Sequence, residues 1–443
     1  MKPMPTILHR RWLVGGAALL ILLALTAGYI FLTTAATAPA RARIQAAASM
    51  RPFGEVDQEV VNARTLVEDT PESARAWSVL GLAYLQLARE TADPTNYGRA
   101  DEAFQRALDL DAASVDALIG AGTLALARHE FAEALELGTR AMELNPTIPR
   151  VYGVIADAQV ELGRYEEAVA SVQTMVDLRP DLASYSRVAY LREIHGDNQG
   201  AIDALELAVS AGGPAAENTE YVRVQLGHLY FATGDLARAE QIYGESLARL
   251  PEYIPALDGL ARVRAARGEY SEAIELYEQA SARIPLPGTI IALGETYEAA
   301  GDQGRATDEY QLVEAIQLLF EANGVRSDVE LAAFSAAHGD DADRALALAR
   351  DAHVRLPTIF AADVLAWSLY RTGAIAEAAG VADEALRLGT QNSVMLYHGG
   401  VIAAADGDTD TARTRLEAAL DLNPRFSPLL ADRAAAALAA LDN

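Results

Sequence analysis

Three stretches decide the fold: YEEAVASVQTMVDLRP at 165–180, YSEAIELYEQASARIP at 270–285 and TARTRLEAALDLNP at 411–424. In the first, Tyr165, Ala168, Val169 and Val172 fall at i, i+3, i+4 and i+7, which is one buried face of an amphipathic helix. Each stretch ends at a proline, whose ring prevents the helix from continuing. Most are preceded by glycine with a polar partner: Gly163-Arg164, Gly196-Asp197, Gly234-Asp235, Gly268-Glu269, Gly301-Asp302 and Gly407-Asp408. Glycine suits the left-handed residue that closes one helix, and an adjacent Asp can cap the start of the next, where the helix dipole is positive.

The pattern recurs along the chain. Pro146, Pro180, Pro214, Pro251 and Pro285 are spaced by 34, 34, 37 and 34 residues, and Pro357 and Pro424 by 67. In the same register, small residues stand at Gly81, Gly122, Ala156, Ala189, Gly227, Ala261, Gly294, Ala333, Ala366 and Gly400, nearly all 33–41 apart. Such a period marks a repeat architecture whose units stack to bury a continuous core. A Gly or Ala where two helices cross lets their axes approach closely. Gly120-Ala121-Gly122 reads as packing inside a helix rather than as a phosphate loop.

Within this period the chain resembles the tetratricopeptide repeat. Trp77, Leu80, Gly81, Tyr84, Tyr97, Ala100, Phe104 and Ala107 match that family's pattern in the first full unit. Leu226, Gly227, Tyr230, Ala239, Tyr243 and Pro251 match it again, as do Leu293, Gly294, Tyr297, Ala306 and Tyr310. The resemblance covers 72–424 and implies an all-α fold: a right-handed superhelical solenoid of about ten helical hairpins, with a concave groove lined by the first helix of each pair. We expect a leading half-repeat from 55, the solenoid over 55–424 and a C-terminal capping helix within 425–443. Four departures are expected: a longer turn around 90–96, a longer loop at 211–219, a second helix extended through QLLFEANG in the unit around 303–323, and a poorly matched unit around 327–357 with HGDD at its turn; the last two place a hinge near 314–327.

The remaining composition narrows the chemistry. The chain of 443 residues has 36 Lys+Arg against 62 Asp+Glu, a formal charge of −26, with Lys2 its only lysine and no cysteine. Disulfides, thiolate nucleophiles and cysteine-ligated metals are excluded. Beyond Lys2 there is no lysine for a P-loop or a Schiff base. The acidic balance opposes binding to nucleic acid phosphates. No catalytic or cofactor motif is present, so neither enzyme activity, a cofactor, a metal nor a small-molecule substrate is expected. The seven histidines are scattered; His195 and His338 read as solvated turn residues.

Residues 12–32, WLVGGAALLILLALTAGYIFL, carry no charge over 21 positions, enough for a helix to cross about 30 Å of hydrocarbon. We read 1–11 as a cytoplasmic tail, 12–32 as a transmembrane signal anchor and 33–54 as a linker. The solenoid is then held outside the cytoplasm at the cell membrane. A signal peptide cut after the small residues Ala36, Ala38 and Ala40, or a cytoplasm-facing solenoid, are the alternatives, since Lys2, Arg10 and Arg11 before the span balance Arg41, Arg43 and Arg51 after it.

The family resemblance implies protein or peptide partners bound in the groove. Carried onto this chain, the groove face comprises Tyr190, Tyr221, His228, Phe231, Asp258, Arg262, Glu295, Phe334, Phe360, Asp363, Trp367, Tyr370 and Tyr397. Aromatic anchors there would supply buried area and the polar groups orientation. The cluster Phe360, Asp363, Trp367, Tyr370 and Tyr397 is the expected binding patch. The expected function is a membrane-anchored scaffold for protein–protein interaction; the alternative is an accessory subunit of a transporter or of a cofactor-insertion machine like that of cytochrome c maturation.

Overall fold

The computed structural model describes residues 56–212, 217–326, 328–339 and 341–442. The tail, span and linker read at 1–54 lie outside the described residues. Among the described residues there are 22 α-helices and no strand. A lone helix, α1 (Val56–Asp69), precedes the first hairpin, α2 (Ala74–Thr91) with α3 (Thr95–Leu110). There follow α4 (Val115–Ala127) with α5 (Phe131–Leu144), α6 (Pro149–Glu161) with α7 (Tyr165–Leu178), and α8 (Leu182–Ile194) with α9 (Asn198–Ala211). The middle hairpins are α10 (Glu217–Ala232) with α11 (Leu236–Arg249), α12 (Ile254–Ala266) with α13 (Tyr270–Arg283), and α14 (Pro287–Ala299) with α15 (Gln303–Ala322). The last three are α16 (Asp328–His338) with α17 (Ala342–Arg355), α18 (Ile359–Arg371) with α19 (Ile375–Ala385), and α20 (Ser393–Asp406) with α21 (Thr409–Leu422). The closing helix is α22 (Leu430–Ala440). The solenoid thus has ten hairpins.

The turn chemistry follows the sequence. Gly163, Gly196, Gly234, Gly268, Gly301 and Gly407 all have positive φ. Asp197, Asp235, Asp302 and Asp408 each accept a hydrogen bond from the backbone N–H three residues on, satisfying a donor the helix start leaves open. At Arg164 and Glu269 no side chain caps the following helix.

Small residues set the packing distance. The Phe104 ring of α3 lies against Gly81 of α2 and Gly120 of α4; the Tyr243 ring of α11 lies against Gly227 of α10 and Gly259 of α12. In both cases a second-helix ring wedges between consecutive first helices, and a methyl at any of these glycines would overlap it. Phe104 and Tyr243 are fully buried.

One expected departure takes a different form. The extra residues around 90–96 lengthen α2 to 18 residues, against 13 in α4, rather than the turn. Thr91 is still helical and only 92–94 separate α2 from α3. The extended second helix expected at 303–323 is present: α15 runs through Ala322, after which the Arg326 N–H donates to the Arg128 carbonyl at 3.2 Å.

That bond belongs to a set linking successive turns of the superhelix. The Ile359 N–H donates to the Tyr165 hydroxyl at 2.9 Å, 194 residues away, and Asn423 Nδ2 donates to the Phe231 carbonyl at 2.7 Å, 192 residues away. One core cluster joins Val160, Tyr165, Leu191 and Ile194 of the first turn to Ile359, Ala362 and Met395 of the second. With units of about 34 residues, one turn holds five to six hairpins. The hairpin turns at Gly163 and Gly196 abut the carbonyls of Pro357 and Gly389, leaving no room for a Cβ.

Two pairs of alanine substitutions separate these effects. Gly227→Ala, pressed on Tyr243, should cost about 1–3 kcal/mol, whereas Gly244→Ala, in open space within α11, should stabilise by about 0.4–1 kcal/mol. Gly268→Ala should cost about 1–2 kcal/mol from its positive φ alone, and Gly163→Ala clearly more, because it also strikes Pro357. Urea unfolding midpoints of the four variants check the order.

Candidate functional site

The first helices α10, α12, α14, α16, α18 and α20 form the inner wall of one complete turn. The Asn423–Phe231 hydrogen bond brings the end of that turn back to its beginning. The wall lines a half-open cavity of about 410 Å³. Ile291, Ala333, Val364, Trp367 and Phe426 provide apolar lining, and Arg262, Glu295, Asp363, His398 and Arg425 the charged or polar lining. A cavity of about 240 Å³ lies beside it between the two superhelical turns, lined by Tyr190, His228, Phe360 and Phe426 among others. At the other rim a cavity of about 480 Å³ runs between α14, α15, α16 and α22.

Polar pairs tie neighbouring first helices together, two in the first turn and two on this wall. Asp116 pairs with Arg150 at 2.8 Å, Asp157 with Arg187 at 2.5 Å, Glu295 with His338 at 3.2 Å and Asp363 with His398 at 3.0 Å. The first, second and fourth pairs span 34, 30 and 35 residues, about one repeat each. Arg187 holds both carboxylate oxygens of Asp157, the geometry that makes guanidinium–carboxylate pairs strong. Several acids of the groove face are therefore already engaged with the next unit.

The expected patch divides in two. Asp363, Trp367, Tyr370 and Tyr397 do come together. Trp367 stacks on Tyr370 with ring centroids 5.0 Å apart and lies 5.9 Å from Tyr397. Phe360, on α18 one turn before Val364, faces the 240 Å³ cavity instead, with Tyr190; both rings are 37 % exposed. Tyr397 and Phe334 are buried, so they are packing residues rather than free anchors. Phe334 rests edge-on against Tyr310 at 6.0 Å. Phe231 is also buried, with the Arg262 guanidinium 5.8 Å above its ring; Arg262 pairs in turn with Asp258 at 3.5 Å. Tyr221 stands apart, under Arg89 of α2 at 5.9 Å.

His228 lines the 240 Å³ cavity, as its place on the groove face suggests, and its Nδ1 is hydrogen-bonded to the Tyr243 hydroxyl at 2.7 Å. Burial, helped by the positive charge of Arg262, lowers its pKa to about 3, so it is a neutral ring at ordinary pH. Burial beside Glu330 and Asp157 raises Glu161 to about 7.

Sequence reasoning missed three contributors. His398 stacks on Trp367 at 4.2 Å; its signal was the 35-residue step from Asp363. His338 is not a solvated turn residue: it ends α16, its side chain is 9 % exposed, and its ring lies 4.4 Å from Tyr310. The third is the C-terminal segment. As expected of a cap, α22 covers the last apolar face, packing Ala434 and Leu438 on Tyr397 and Leu416. It also enters the concave side, where Phe426 lines two cavities and Arg433 meets Glu298 at 3.7 Å.

Residues 125–193 and 230–293 match the tetratricopeptide-repeat family model. The TPR repeat-containing protein YpiA of Bacillus subtilis is 27 % identical over 171 residues, 38 % of this chain and 40 % of that protein. The heat-shock cognate co-chaperone sgt12 of Aspergillus fumigatus is 30 % identical over 128 residues, 28 % of this chain and 37 % of that one. Cellulose synthase 1 operon protein C of Komagataeibacter xylinus is 27 % identical over 226 residues, 48 % of this chain and 15 % of that one. The chain thus spans less than half the length of each of these relatives. Among solved structures, the APC/C hetero-tetramer Cut9-Hcn1 aligns over 84 % of this chain and 76 % of its own at 18 % identity, TM-score 0.40. A thermophilic TPR protein of Thermus thermophilus aligns over 44 % and 99 % at 21 % identity, TM-score 0.36. The matched segments carry tetratricopeptide repeats.

The two shifted groups give opposite pH signatures. Between pH 6.5 and about 3 the unfolded chain protonates His228 while the folded chain does not, so that stability falls on acidification. Between about pH 4.5 and 7 the folded chain retains the Glu161 proton and the unfolded chain loses it, so that stability falls on alkalinisation. His228→Gln should flatten the acid slope and Glu161→Gln the neutral one, read as unfolding midpoints from pH 4 to 8. The imidazole NMR signal of His228 should not titrate above pH 5.

Proposed function

We propose that this chain is a scaffold for protein–protein interaction that holds a peptide segment of its partner inside the second turn of the solenoid. The observation that carries this reading is the half-open cavity of about 410 Å³ lined by six consecutive first helices, with apolar groups such as Trp367, Val364 and Ile291 and polar groups among its lining. Concave, mainly apolar cavities with a few convergent polar groups are where proteins bind other molecules. Trp367 is the natural anchor, being half-buried, ringed by Tyr370 and His398, and directed at the cavity. The Glu295–His338 and Asp363–His398 pairs and the contacts between turns brace the wall, which reduces the ordering cost when a peptide enters.

Residues 12–32 have the length and apolarity of a membrane anchor, and we extend the proposal to a tethered scaffold facing away from the cytoplasm. No described helix is long and apolar enough to cross a membrane, so this part of the reading rests on the sequence of 12–32.

Peptides selected from a random display library on the full-length chain test the site. Ala337→Trp, on the exposed side of α16, should fill the cavity without disturbing the core and reduce binding at least tenfold. Trp367→Ala should reduce it by about 30-fold, the effect of truncating a central aromatic anchor. Circular dichroism should show that both variants keep their helices. Selected peptides that bind Ala337→Trp as well as the parent would place the interaction elsewhere.

A further inference from the structure

The rim cavity of about 480 Å³ has a distinct chemistry. Glu295, Glu298 and Glu314 line it, and so do the aromatic side chains of Tyr310 and Trp367. The Tyr310 hydroxyl donates to Glu298 at 3.3 Å. Burial first, and then the fields of Glu295 and Glu298, push the Tyr310 hydroxyl above its ordinary range, as expected where negative charge gathers. An anion entering here would face three carboxylates. A cation would find opposite charge together with aromatic faces, the combination that favours guanidinium and ammonium groups.

The chain itself places a cation there. Arg433 of α22 lines the cavity and approaches Glu298, 135 positions earlier in the sequence. Its contact is loose, at 3.7 Å and with the side chain 57 % exposed, and it leaves Glu314 exposed. A guanidinium therefore fits beside Glu298, and the Glu314 carboxylate stays open to solvent. The other basic side chains lining the site are His338, 3.2 Å from Glu295, and His398, 3.0 Å from Asp363.

We propose that this cavity receives an arginine or lysine side chain from a basic segment of the partner protein, and that Arg433 is the internal stand-in displaced by it. The proposal rests on the reading of the concave wall as a peptide site and adds the chemical class of the peptide. The segment would lay an apolar residue against Trp367 and its basic residue between Glu295 and Glu314.

The test uses three fluorescein-labelled twelve-residue peptides of one Gly/Ser/Leu framework, bearing three Arg, three Gln or three Glu, titrated onto the full-length chain. The Arg peptide should bind at least tenfold more tightly than the Gln peptide. Glu295→Gln with Glu314→Gln should weaken the Arg peptide at least tenfold. The same charge change on the outer face, Glu166→Gln with Glu167→Gln, should alter it by less than twofold, and Arg433→Ala should tighten it about threefold. Equal weakening by the two Gln pairs would reduce the effect to overall charge and overturn the proposal. Tighter binding of the Gln or Glu peptide, still blocked by Ala337→Trp, would overturn the basic-segment assignment and leave the groove reading standing. Failure of all three peptides, and of peptides selected from the display library, would overturn both.

Discussion

The contact between successive turns of the superhelix is the constraint on which the rest of this structure depends. A solenoid of stacked hairpins needs only neighbour contacts, and its groove is then an open trough. Here Tyr165 accepts from Ile359, Asn423 donates to Phe231, and apolar side chains from both turns share one core. Glycine at the hairpin turns makes this possible, because the facing carbonyls of Pro357 and Gly389 occupy the space a side chain would need. The same glycines have the positive φ that closes one helix and starts the next. One residue type thus serves the local turn and the long-range contact. With the turns in contact, the first helices curve round through one complete turn and line half-open cavities.

Closure requires tight curvature, which comes from how little side chain separates the helices. Rings such as Phe104 and Tyr243 wedge between glycines on consecutive first helices, which can approach only because no Cβ intervenes. Alanine dominates the buried positions of the second helices: α17 buries Ala345, Ala349 and Ala352, and α19 buries Ala378, Ala382 and Ala385. The curvature is then pinned by the polar pairs between neighbouring first helices. Individually such pairs contribute little when exposed, about 0–1 kcal/mol. Their value here is geometric, since each fixes the rotation between two neighbouring units.

Much of this was legible in the sequence, because it is encoded locally. The hairpin count, the turn glycines, the Asp caps and the crossing glycines all follow from a period that repeats within 33–41 residues. What could not be read joins positions about 190 residues apart, which carry no local signature. Ile359 shows nothing in its own segment of its bond to Tyr165. The same limit governed the site. Tyr221 lies apart from the wall, under Arg89, and among the groove-face residues that do line its cavities, which were free depended on their neighbours. Phe334 and Tyr397 spend their surface on packing, and Asp363 and Glu295 are paired with histidines. The residues extended beyond 90 were visible as an insertion. Their distribution was not: Glu90 and Thr91 end α2, Thr95 and Asn96 begin α3, and only the three residues around Asp93 form the turn.

Histidine placement shows how the site acquired its polarity. His338 and His398 stand at the inner wall, each against a carboxylate and an aromatic ring: Glu295 with Tyr310, and Asp363 with Trp367. An arginine in either place would neutralise its carboxylate permanently, as Arg150 and Arg187 do in the first turn. The imidazoles instead bridge the units and stack on the rings, so that each carboxylate is tied to an aromatic surface as well as to the next unit. The first-turn pairs, Asp116 with Arg150 and Asp157 with Arg187, put guanidinium groups between neighbouring first helices. The second-turn pairs put flat aromatic rings in the same place, which extends the aromatic surface of the wall from Tyr310 to Trp367.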